Sequence, residues 1–531
     1  MANSSPSAAR LSRLRPGLVF VLAAAFVGLG ALDAAAQGQG RRARLSGDLV
    51  QKLRAGDGRT STVIFTGSQA RVDEIVARHG LQVRKRLKSG AVLEVPGYQL
   101  QAVAGDPQVD ALSGNQLVTA QMATSVQSTG ADQVHGGLAT LGAAGVTGAG
   151  IGIAVIDSGV AYMPELRGRI VASRDFTDDR GPGLDEHGHG THVAGIAAAA
   201  GRNRHDDTRG VAPGAHIVSL KVLDARGRGY AADVIEAIDW AIENRQRYRI
   251  GVINLSLGGP VLQSWRDDPI CQAVERAYRA GIVVVAAAGN FGKDAQGRSV
   301  YGGITSPGNS PYALTVGAIN TMGTPWRGDD ELASYSSKGP TLYDRLIKPD
   351  VVAPGNRIRG LVAPNSTLAK ARPELITGVG RDARIELSGT SMATPVVSGA
   401  VASLIEGSRR QLTPGAVRIL VQFSAEPLFE EGLLGGGAGS LNLAAARELQ
   451  VRGAVRETVV AGNTVGSGQV VFASRDLWTA ENILWGTDEN ILWGTDENIL
   501  WGTDENILWG TNENILWGTD ENILWGTAVA D

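Results

Sequence analysis

The segment Ser388-Gly389-Thr390-Ser391-Met392-Ala393-Thr394-Pro395 is followed at once by an apolar run from Val396 to Ile405. The run predicts a buried helix, and the short turn before it predicts that the Ser391 hydroxyl stands at the helix N-terminus. A helix N-terminus favours developing negative charge, so a serine in this place suits a nucleophile. The same residues also fit a simple N-cap, and this segment alone leaves both interpretations open.

Two upstream segments contain the groups that a serine nucleophile needs. Ile151-Gly-Ile-Ala-Val-Ile-Asp157 predicts a buried parallel strand that ends in a carboxylate, at the sheet edge where open α/β folds bind ligands. Asp185-Glu-His-Gly-His189-Gly-Thr-His192 predicts a histidine at the start of a helix of small residues. Asp157, His189 and Ser391 thus follow one known chain order of the catalytic triad. This order favours a nucleophile over an N-cap.

With these motifs the chain resembles the subtilisin-like serine proteases, or subtilases, over residues 129–446. The resemblance implies that Ser391 is the nucleophile, that His189 is the general base and then the general acid, and that Asp157 orients the imidazole. It implies hydrolysis of protein or peptide substrates through an acyl-enzyme, with no cofactor required. A further apolar strand runs into Asn290, which matches the asparagine of the family's oxyanion hole.

The resemblance also implies a cleft that binds peptide as an added strand. The substrate-binding residues are expected to be Ser256, Leu257, Gly258, Ala287, Ala288 and Gly289. Phe291 stands where several family members carry an acidic residue, so one charge that would attract Lys or Arg is missing. We therefore expect apolar or aromatic side chains at the substrate P1 position.

Clustered histidines raise the alternative of a zinc site in the second motif, since His187 and His192 flank His189. Zinc-binding helices carry histidines four residues apart around a glutamate, whereas glycines interrupt this segment, so no metal is predicted. Cys271 is the single cysteine, which excludes a disulfide within the chain and indicates a small buried side chain.

Calcium is a second metal alternative. The loop 201–210 offers oxygen ligands from Asn203, Asp206 and Asp207, at a place where many subtilases hold this ion. Arginines in the same loop favour a solvated charged turn instead.

The N-terminus predicts export. Arg10, Arg13 and Arg15 precede an apolar run from Leu18 to Leu32, and small residues follow it, so residues 1–36 are predicted to be a signal peptide. A retained membrane anchor is the alternative. A single cysteine and a formal net charge of −3 fit a soluble secreted protein and give no indication of a nucleic-acid partner.

Residues 41–122 predict a small α+β unit of ferredoxin-like order. The predicted elements are strands at 61–65, 81–84, 91–95 and 109–112, and helices at 68–79 and 98–104. Its position implies a subtilase propeptide, which would act as an intramolecular inhibitor until a cut between residues 115 and 130. The alternative is an unrelated spacer.

The remaining chain predicts three further regions. Apolar strands alternate with small-residue helices over 129–446, which predicts an α/β, doubly wound, mainly parallel sheet with helices on both faces. Residues 451–480 are predicted to be a linker. Residues 481–528 contain six copies of Glu-Asn-Ile-Leu-Trp-Gly-Thr-Asp or close variants, an even period that fits stacked strands or a disordered tail.

Two function classes follow from these predictions. The first is a secreted serine endopeptidase made as a zymogen. The second is an exported adhesive or structural protein that carries an inactive subtilase fold and an interaction tail. All three triad residues and Asn290 are present, which favours the enzyme.

Overall fold

The computed structural model describes residues 43–115, 117–120, 127–138, 141–177, 181–200, 209–409, 411–455 and 457–472, and the backbone of six strands between residues 482 and 525. The predicted signal peptide lies outside these residues, and so does the loop with Asn203, Asp206 and Asp207. Among the helices that are described, none is long and apolar enough to cross a lipid bilayer.

Residues 43–115, here called the N-terminal unit, form a five-stranded sheet with helices on one face. The elements are β1 (Arg44–Leu45), α1 (Gly47–Arg54), β2 (Ser61–Thr66), α2 (Gln69–His79), β3 (Gln82–Leu87), β4 (Gly90–Val95), α3 (Gly97–Ala104) and β5 (Ala111–Gly114). The spatial order is β1-β5-β2-β4-β3. The predicted β-α-β-β-α-β order is found over β2 to β5, and one strand and one helix precede it.

Alternation along β2 gives this sheet two apolar faces. Val63 and Phe65 join the core beneath the unit's own helices. Ile64 lies between them in sequence and joins a different core, which the unit shares with the rest of the protein. The N-terminal unit is therefore packed against its neighbour through one face of its sheet.

Residues 127–472, here called the main unit, surround an eight-stranded sheet. Its strands are β7 (Gly152–Asp157), β8 (Ile170–Asp175), β9 (His216–Lys221), β11 (Ile250–Leu255), β13 (Val283–Ala287), β14 (Ala313–Asn320), β15 (Glu331–Leu332) and β16 (Val351–Pro354). The order is β15-β14-β13-β11-β7-β9-β8, with β16 also paired to β14. Every pairing is parallel except that of β14 with β15.

Helices cover both faces of this sheet, as the alternating pattern predicted. The helices are α4 (Ala131–Gly136), α5 (His189–Ala198), α6 (Ala231–Glu243), α7 (Pro269–Arg279), α8 (Thr367–Ala371), α9 (Thr390–Glu406), α10 (Pro414–Phe423), α11 (Gly432–Gly436) and α12 (Leu443–Arg452). Along β7, Ile153 and Val155 pack in the core with α5 and α9. Ala154 and Ile156 pack in the opposite core with α6 and α7.

Short strands lie outside the main sheet, and all of them except β6, at residues 117–120, belong to the main unit. They are β6 (Leu117–Ala120), β10 (Arg228–Tyr230), β12 (Leu257–Gly258), β17 (Ile358–Leu361), β18 (Ile376–Thr377), β19 (Arg384–Leu387), β20 (Glu457–Val460) and β21 (Asn463–Gly466). Strand β6, which follows the N-terminal unit, lies antiparallel between β10 and β12.

The octapeptide copies form six strands, one in each copy. They are β22 (Asn482–Thr487), β23 (Ile491–Thr495), β24 (Asn498–Thr503), β25 (Ile507–Thr511), β26 (Ile515–Gly518) and β27 (Ile523–Trp525). Each strand pairs parallel with the copy two further along, so that Ile483 is in register with Ile499. Odd and even copies thus make separate three-stranded sheets, and one turn of the stack spans two copies.

Arg327 ties distant segments of the main unit together. Its guanidinium donates to the carbonyl oxygens of Ser128 at 2.6 Å and Leu441 at 2.8 Å, and pairs with Glu426 at 2.6 Å. Close to it lies Asp330, whose two carboxylate oxygens are buried and have no hydrogen-bond partner among the described residues. Burial raises the pKa of Asp330 to about 7, above the 3.8 of an exposed aspartate.

We predict that Asp330→Asn stabilises the protein at neutral and higher pH. The unfolded chain ionises this carboxyl at lower pH than the folded chain, so the free energy of unfolding falls as pH rises from about 4 to about 7. Thermal unfolding should show a melting temperature higher than wild type by roughly 5–10 °C near pH 8, and no difference near pH 4. Glu331→Gln, at an exposed neighbour, is the control. An equal rise in melting temperature at both pH values would contradict a raised pKa of Asp330 in the folded protein.

Candidate active site

Asp157 and His189 form a buried pair at the edge of the main sheet. Asp157 is the last residue of β7, and His189 is the first residue of α5. The distance from His189 Nδ1 to Asp157 Oδ1 is 2.7 Å, and both side chains are fully buried. Because the carboxylate accepts a hydrogen bond from Nδ1, the other ring nitrogen, Nε2, is left as the basic one. This is the tautomer that a general base requires.

A second carboxylate, Asp185, holds the turn that leads into α5. Its Oδ1 accepts from the Ser158 hydroxyl at 2.8 Å and the Gly188 amide at 2.6 Å, and its Oδ2 accepts from the Thr191 amide at 2.8 Å. Burial raises the pKa of Asp185, although these hydrogen bonds favour its ionised form. We did not single out Asp185 from the sequence. One sequence feature could have indicated it, namely an acidic residue just before a helix start that glycines interrupt. A carboxylate there can accept hydrogen bonds from amide groups that the first turn of the helix leaves unpaired.

Ser391 lies in the first turn of α9, as the sequence predicted, and it is almost fully buried. In a regular helix its carbonyl oxygen would accept from the amide four residues later. That residue is Pro395, which has no N–H. The Ser391 carbonyl instead accepts from the Ser256 hydroxyl at 2.6 Å.

A chain of buried hydrogen bonds extends from this contact into the main sheet. The Asn254 side-chain amide donates to Ser256 Oγ at 2.9 Å. The Ser398 hydroxyl, further along α9, donates to Asn254 Oδ1 at 2.8 Å. The backbone of Ser391 is therefore fixed to the end of β11 by polar contacts rather than by helix geometry alone.

Asn290 and Ser391 face the same cavity. Thr390 donates its amide hydrogen to Asn290 Oδ1 at 2.9 Å, which fixes the side-chain amide and leaves its NH₂ group as a donor. Both residues line a cavity of about 320 Å³. A fixed amide donor beside a serine hydroxyl can stabilise negative charge that develops on a bound carbonyl oxygen.

Four of the six expected substrate-binding residues line this cavity: Leu257, Gly258, Ala287 and Gly289. The other two are buried and outside its lining. Ser256 supports the Ser391 carbonyl, and Ala288 is held between neighbouring segments through its backbone, by bonds to Val316 and Thr305.

The rest of the cavity wall is apolar or small, and none of the described residues that line it is charged. The sequence did not identify several of these residues, among them Gly302, Gly303, Ile304 and Leu342, which come from loops remote from the motifs. Phe291 stands at the lining with about half of its side chain exposed, at 55%. A large uncharged cavity suits an apolar or aromatic side chain.

Of the two other histidines of the motif, His192 is held away from the Asp157–His189 pair, whereas the ring of His187 lies 6.2 Å from that of His189, centroid to centroid. His192 is buried and its Nε2 lies within 3.3 Å of the carbonyl oxygens of Ile358 and Ile385. Burial, assisted by the charge of His189, lowers the pKa of His192 to about 3 and that of His187 to about 4. Within the described ranges, no group of three or more His, Cys, Asp or Glu side chains is placed to hold a metal ion.

We predict that Ser256→Ala weakens both catalysis and stability, because it leaves the Ser391 carbonyl buried without its donor. The free energy of unfolding should fall by about 1–3 kcal/mol, and turnover of a chromogenic peptide by about tenfold or more. Urea unfolding and steady-state kinetics measure the two effects. Ser403→Ala is the matched control. Ser403 lies on α9, the helix that carries Ser391, and its buried hydroxyl has no partner among the described residues. Equal effects of the two changes would contradict a supporting role for Ser256.

Comparison with known proteins gives a consistent answer. Residues 148–444 match the model of the subtilase family, peptidase S8. Serine protease AprX of Bacillus subtilis is 38% identical over 62% of this chain and 72% of its own length. Subtilisin E of the same organism is 32% identical over 71% of this chain and 87% of its own length. A thermostable alkaline protease of Halalkalibacterium halodurans is 32% identical over 65% of this chain and 80% of its own length. The chain belongs to the subtilase family and is a serine-type endopeptidase.

Proposed function

We propose that this subtilase is a secreted endopeptidase made as a zymogen, and that Asp157, His189 and Ser391 are its catalytic triad. The observation that carries the assignment is the buried 2.7 Å contact between Asp157 and His189, together with the shared cavity of Ser391 and Asn290. No cofactor is needed for this chemistry.

Acylation begins when Ser391 Oγ attacks the carbonyl carbon of the scissile peptide bond. His189 Nε2 takes the hydroxyl proton, and the Asp157 carboxylate stabilises the imidazolium that forms. The carbonyl oxygen becomes an oxyanion, which accepts hydrogen bonds from the Asn290 NH₂ group and the Ser391 backbone amide. His189 then gives the proton to the leaving amine, and the C–N bond breaks.

Deacylation repeats these steps with water. His189 removes a proton from water, the resulting hydroxide attacks the ester carbon, and the same donors receive the oxyanion. The ester C–O bond breaks, and Ser391 Oγ recovers its proton from His189. The hydrogen bonds through Ser256 and Asn254 keep the Ser391 backbone fixed through both halves of the cycle, which is the preorganisation that such sites depend on.

Substrate would bind as a strand between β10 and β12, because strand β6 of the chain itself lies there. Gly229 of β10 pairs with Val118, and Gly258 of β12 pairs with Thr119. Peptide addition to sheet edges gives affinity through main-chain hydrogen bonds that any sequence can make. The N-terminal unit, which β6 follows, would then be the propeptide and would block the cleft until the chain is cut shortly after Ala120.

Secretion is supported by the charged and apolar pattern of residues 1–36 and by one relative named Extracellular serine proteinase, from Thermus, which is 32% identical over 68% of this chain. Within the mature protein, residues 129–446 would be the catalytic domain. Residues 451–480 would connect it to the repeats of 481–528, and part of this connection, residues 457–472, packs in the core of the main unit through Val460, Val465 and Phe472. The repeats would form a separate stacked module.

We predict that Ser391→Ala leaves the precursor uncut. The wild-type protein should lose about 120 N-terminal residues by intact mass and digest casein, because removal of the propeptide is autocatalytic in this proposal. The Ser391→Ala protein should lack only the signal peptide, residues 1–36, and should leave casein intact. Cutting of purified Ser391→Ala at the wild-type rate would show that the triad does not process the chain.

We also predict a preference for apolar or aromatic P1 residues. With matched peptide p-nitroanilides, kcat/KM for Phe or Leu at P1 should exceed that for Lys or Glu by about tenfold or more, since a charge in this cavity meets no counterion. Phe291→Asp should raise kcat/KM for Lys relative to Phe. Gly297→Asp, in the exposed loop beyond Phe291, is the control. Equal rates for Phe and Lys in the wild type would contradict the prediction.

A further inference from the structure

The N-terminal unit contacts the main unit through an apolar centre and a charged border. Ile64, Leu87 and Val92 of its sheet belong to the same buried core as the residues of α6 and α7. Around this centre, Asn115 Oδ1 accepts from the Ala232 amide at 3.2 Å, at the start of α6. The charged border lies along α6, and it involves two lysines.

Lys85, on the edge strand β3, is the more buried of these lysines. Its ammonium lies 2.7 Å from Asp233 Oδ1 and 2.6 Å from Glu236 Oε2, and its side chain is 17% exposed. The two acidic residues are three positions apart on α6, so they share one face of the helix. One cation therefore pairs with two carboxylates, and water is largely excluded from Lys85 and Asp233, at 17% and 11% exposed, while Glu236 is 31% exposed.

Lys88, in the turn after β3, forms a second ion pair with α6 that is more exposed to solvent. Its ammonium lies 2.6 Å from Glu243 Oε1 and donates to the Asp239 carbonyl at 3.3 Å. About half of each charged side chain is exposed, at 49% for Lys88 and 58% for Glu243. An exposed pair of this kind is screened by solvent and contributes little.

Arg86, the residue after Lys85 on β3, faces the helices of the N-terminal unit and not the main unit. Arg86 pairs with Asp73 at 2.6 Å and donates to Gln69 Oε1 at 2.8 Å, and both partners are on α2 of the N-terminal unit. Adjacent residues of a strand face opposite ways, so Lys85 serves the interface while Arg86 serves its own unit. This difference provides a natural control.

We propose that Lys85 is the ionic anchor that sets how long the cleaved N-terminal unit stays bound to the enzyme. The time between cleavage of the chain and the appearance of a free cleft, here called the latency, should then shorten as ionic strength rises. The inference rests on the proposed function, in which this unit is the propeptide. Before cleavage, the chain itself keeps the unit in place. After cleavage only non-covalent contacts remain, and loss of Lys85 leaves Asp233 and Glu236 without their shared counterion.

The test follows two events in the same sample of full-length protein. Intact mass reports cleavage of the chain, and hydrolysis of a chromogenic peptide reports a free cleft. The interval between the two events is the latency. Wild type, Lys85→Ala, Lys88→Ala and Arg86→Ala are compared at low and high sodium chloride.

Lys85→Ala should be cut at the wild-type rate, and its latency should be shorter by about 30-fold or more, because loss of one partner of a desolvated charge pair acts on the dissociation rate. Lys88→Ala should shorten latency by less than about fivefold. Arg86→Ala should match wild type. Latency of the wild type should shorten as salt rises, since the screening length falls from about 10 Å at 0.1 M salt to about 3 Å at 1 M.

Charge exchange tests the pairing even where a single change impairs folding. Lys85→Glu and Glu236→Lys should each shorten latency, and the two together should restore it towards the wild-type value. A doubly exchanged protein with the short latency of the single variants would overturn the proposal. Wild-type latency that depends on neither salt nor Lys85 would overturn it as well, with the protease assignment intact. A wild-type chain that is never cut would instead reject the proposed zymogen itself.

Discussion

The missing amide hydrogen of Pro395 is the constraint on which the rest of the site depends. It releases the Ser391 carbonyl from the helix pattern, and the Ser256 hydroxyl takes the vacant place. Through Asn254, that contact connects the first turn of α9 to β11, the strand beside β7. Since β7 ends in Asp157, the segments that carry two of the proposed triad residues are fixed to adjacent strands of one sheet. A proline that would weaken an ordinary helix here specifies where its N-terminus sits.

The gap between β10 and β12 holds the protein's own strand β6 and, in our proposal, its substrates. Strand β6 makes main-chain contacts on both sides, so its position does not depend on particular side chains. Tight placement of β6 relies on the N-terminal unit, which rests on α6 and α7 through an apolar face. In our proposal, inhibition by the N-terminal unit and binding of substrate use one backbone surface, and they differ in what stands next to the bound strand.

Local patterns predicted much of this structure. The Asp157 strand, the His189 helix start and the Ser391 helix start are each decided by residues within a short window, and their chain order identified the family. The element order of the N-terminal unit was likewise legible from periodicity. Asp185 was not, because its role comes from donors on Ser158, Gly188 and Thr191 that meet only after folding. Gly302, Ile304 and Leu342 were missed for the same reason, since loops that are distant in sequence form that wall of the cavity. The calcium alternative at Asn203, Asp206 and Asp207 and the signal peptide fall on residues that the structure does not describe, and both stay predictions.

The pairing of octapeptide copies has a consequence for how the repeat tail can change in length. Because each strand pairs with the copy two positions away, insertion or loss of two copies lengthens or shortens both sheets by one strand and leaves every other register as it was. A change of one copy leaves the sheets unequal. Even steps therefore keep the two sheets equal in strand number.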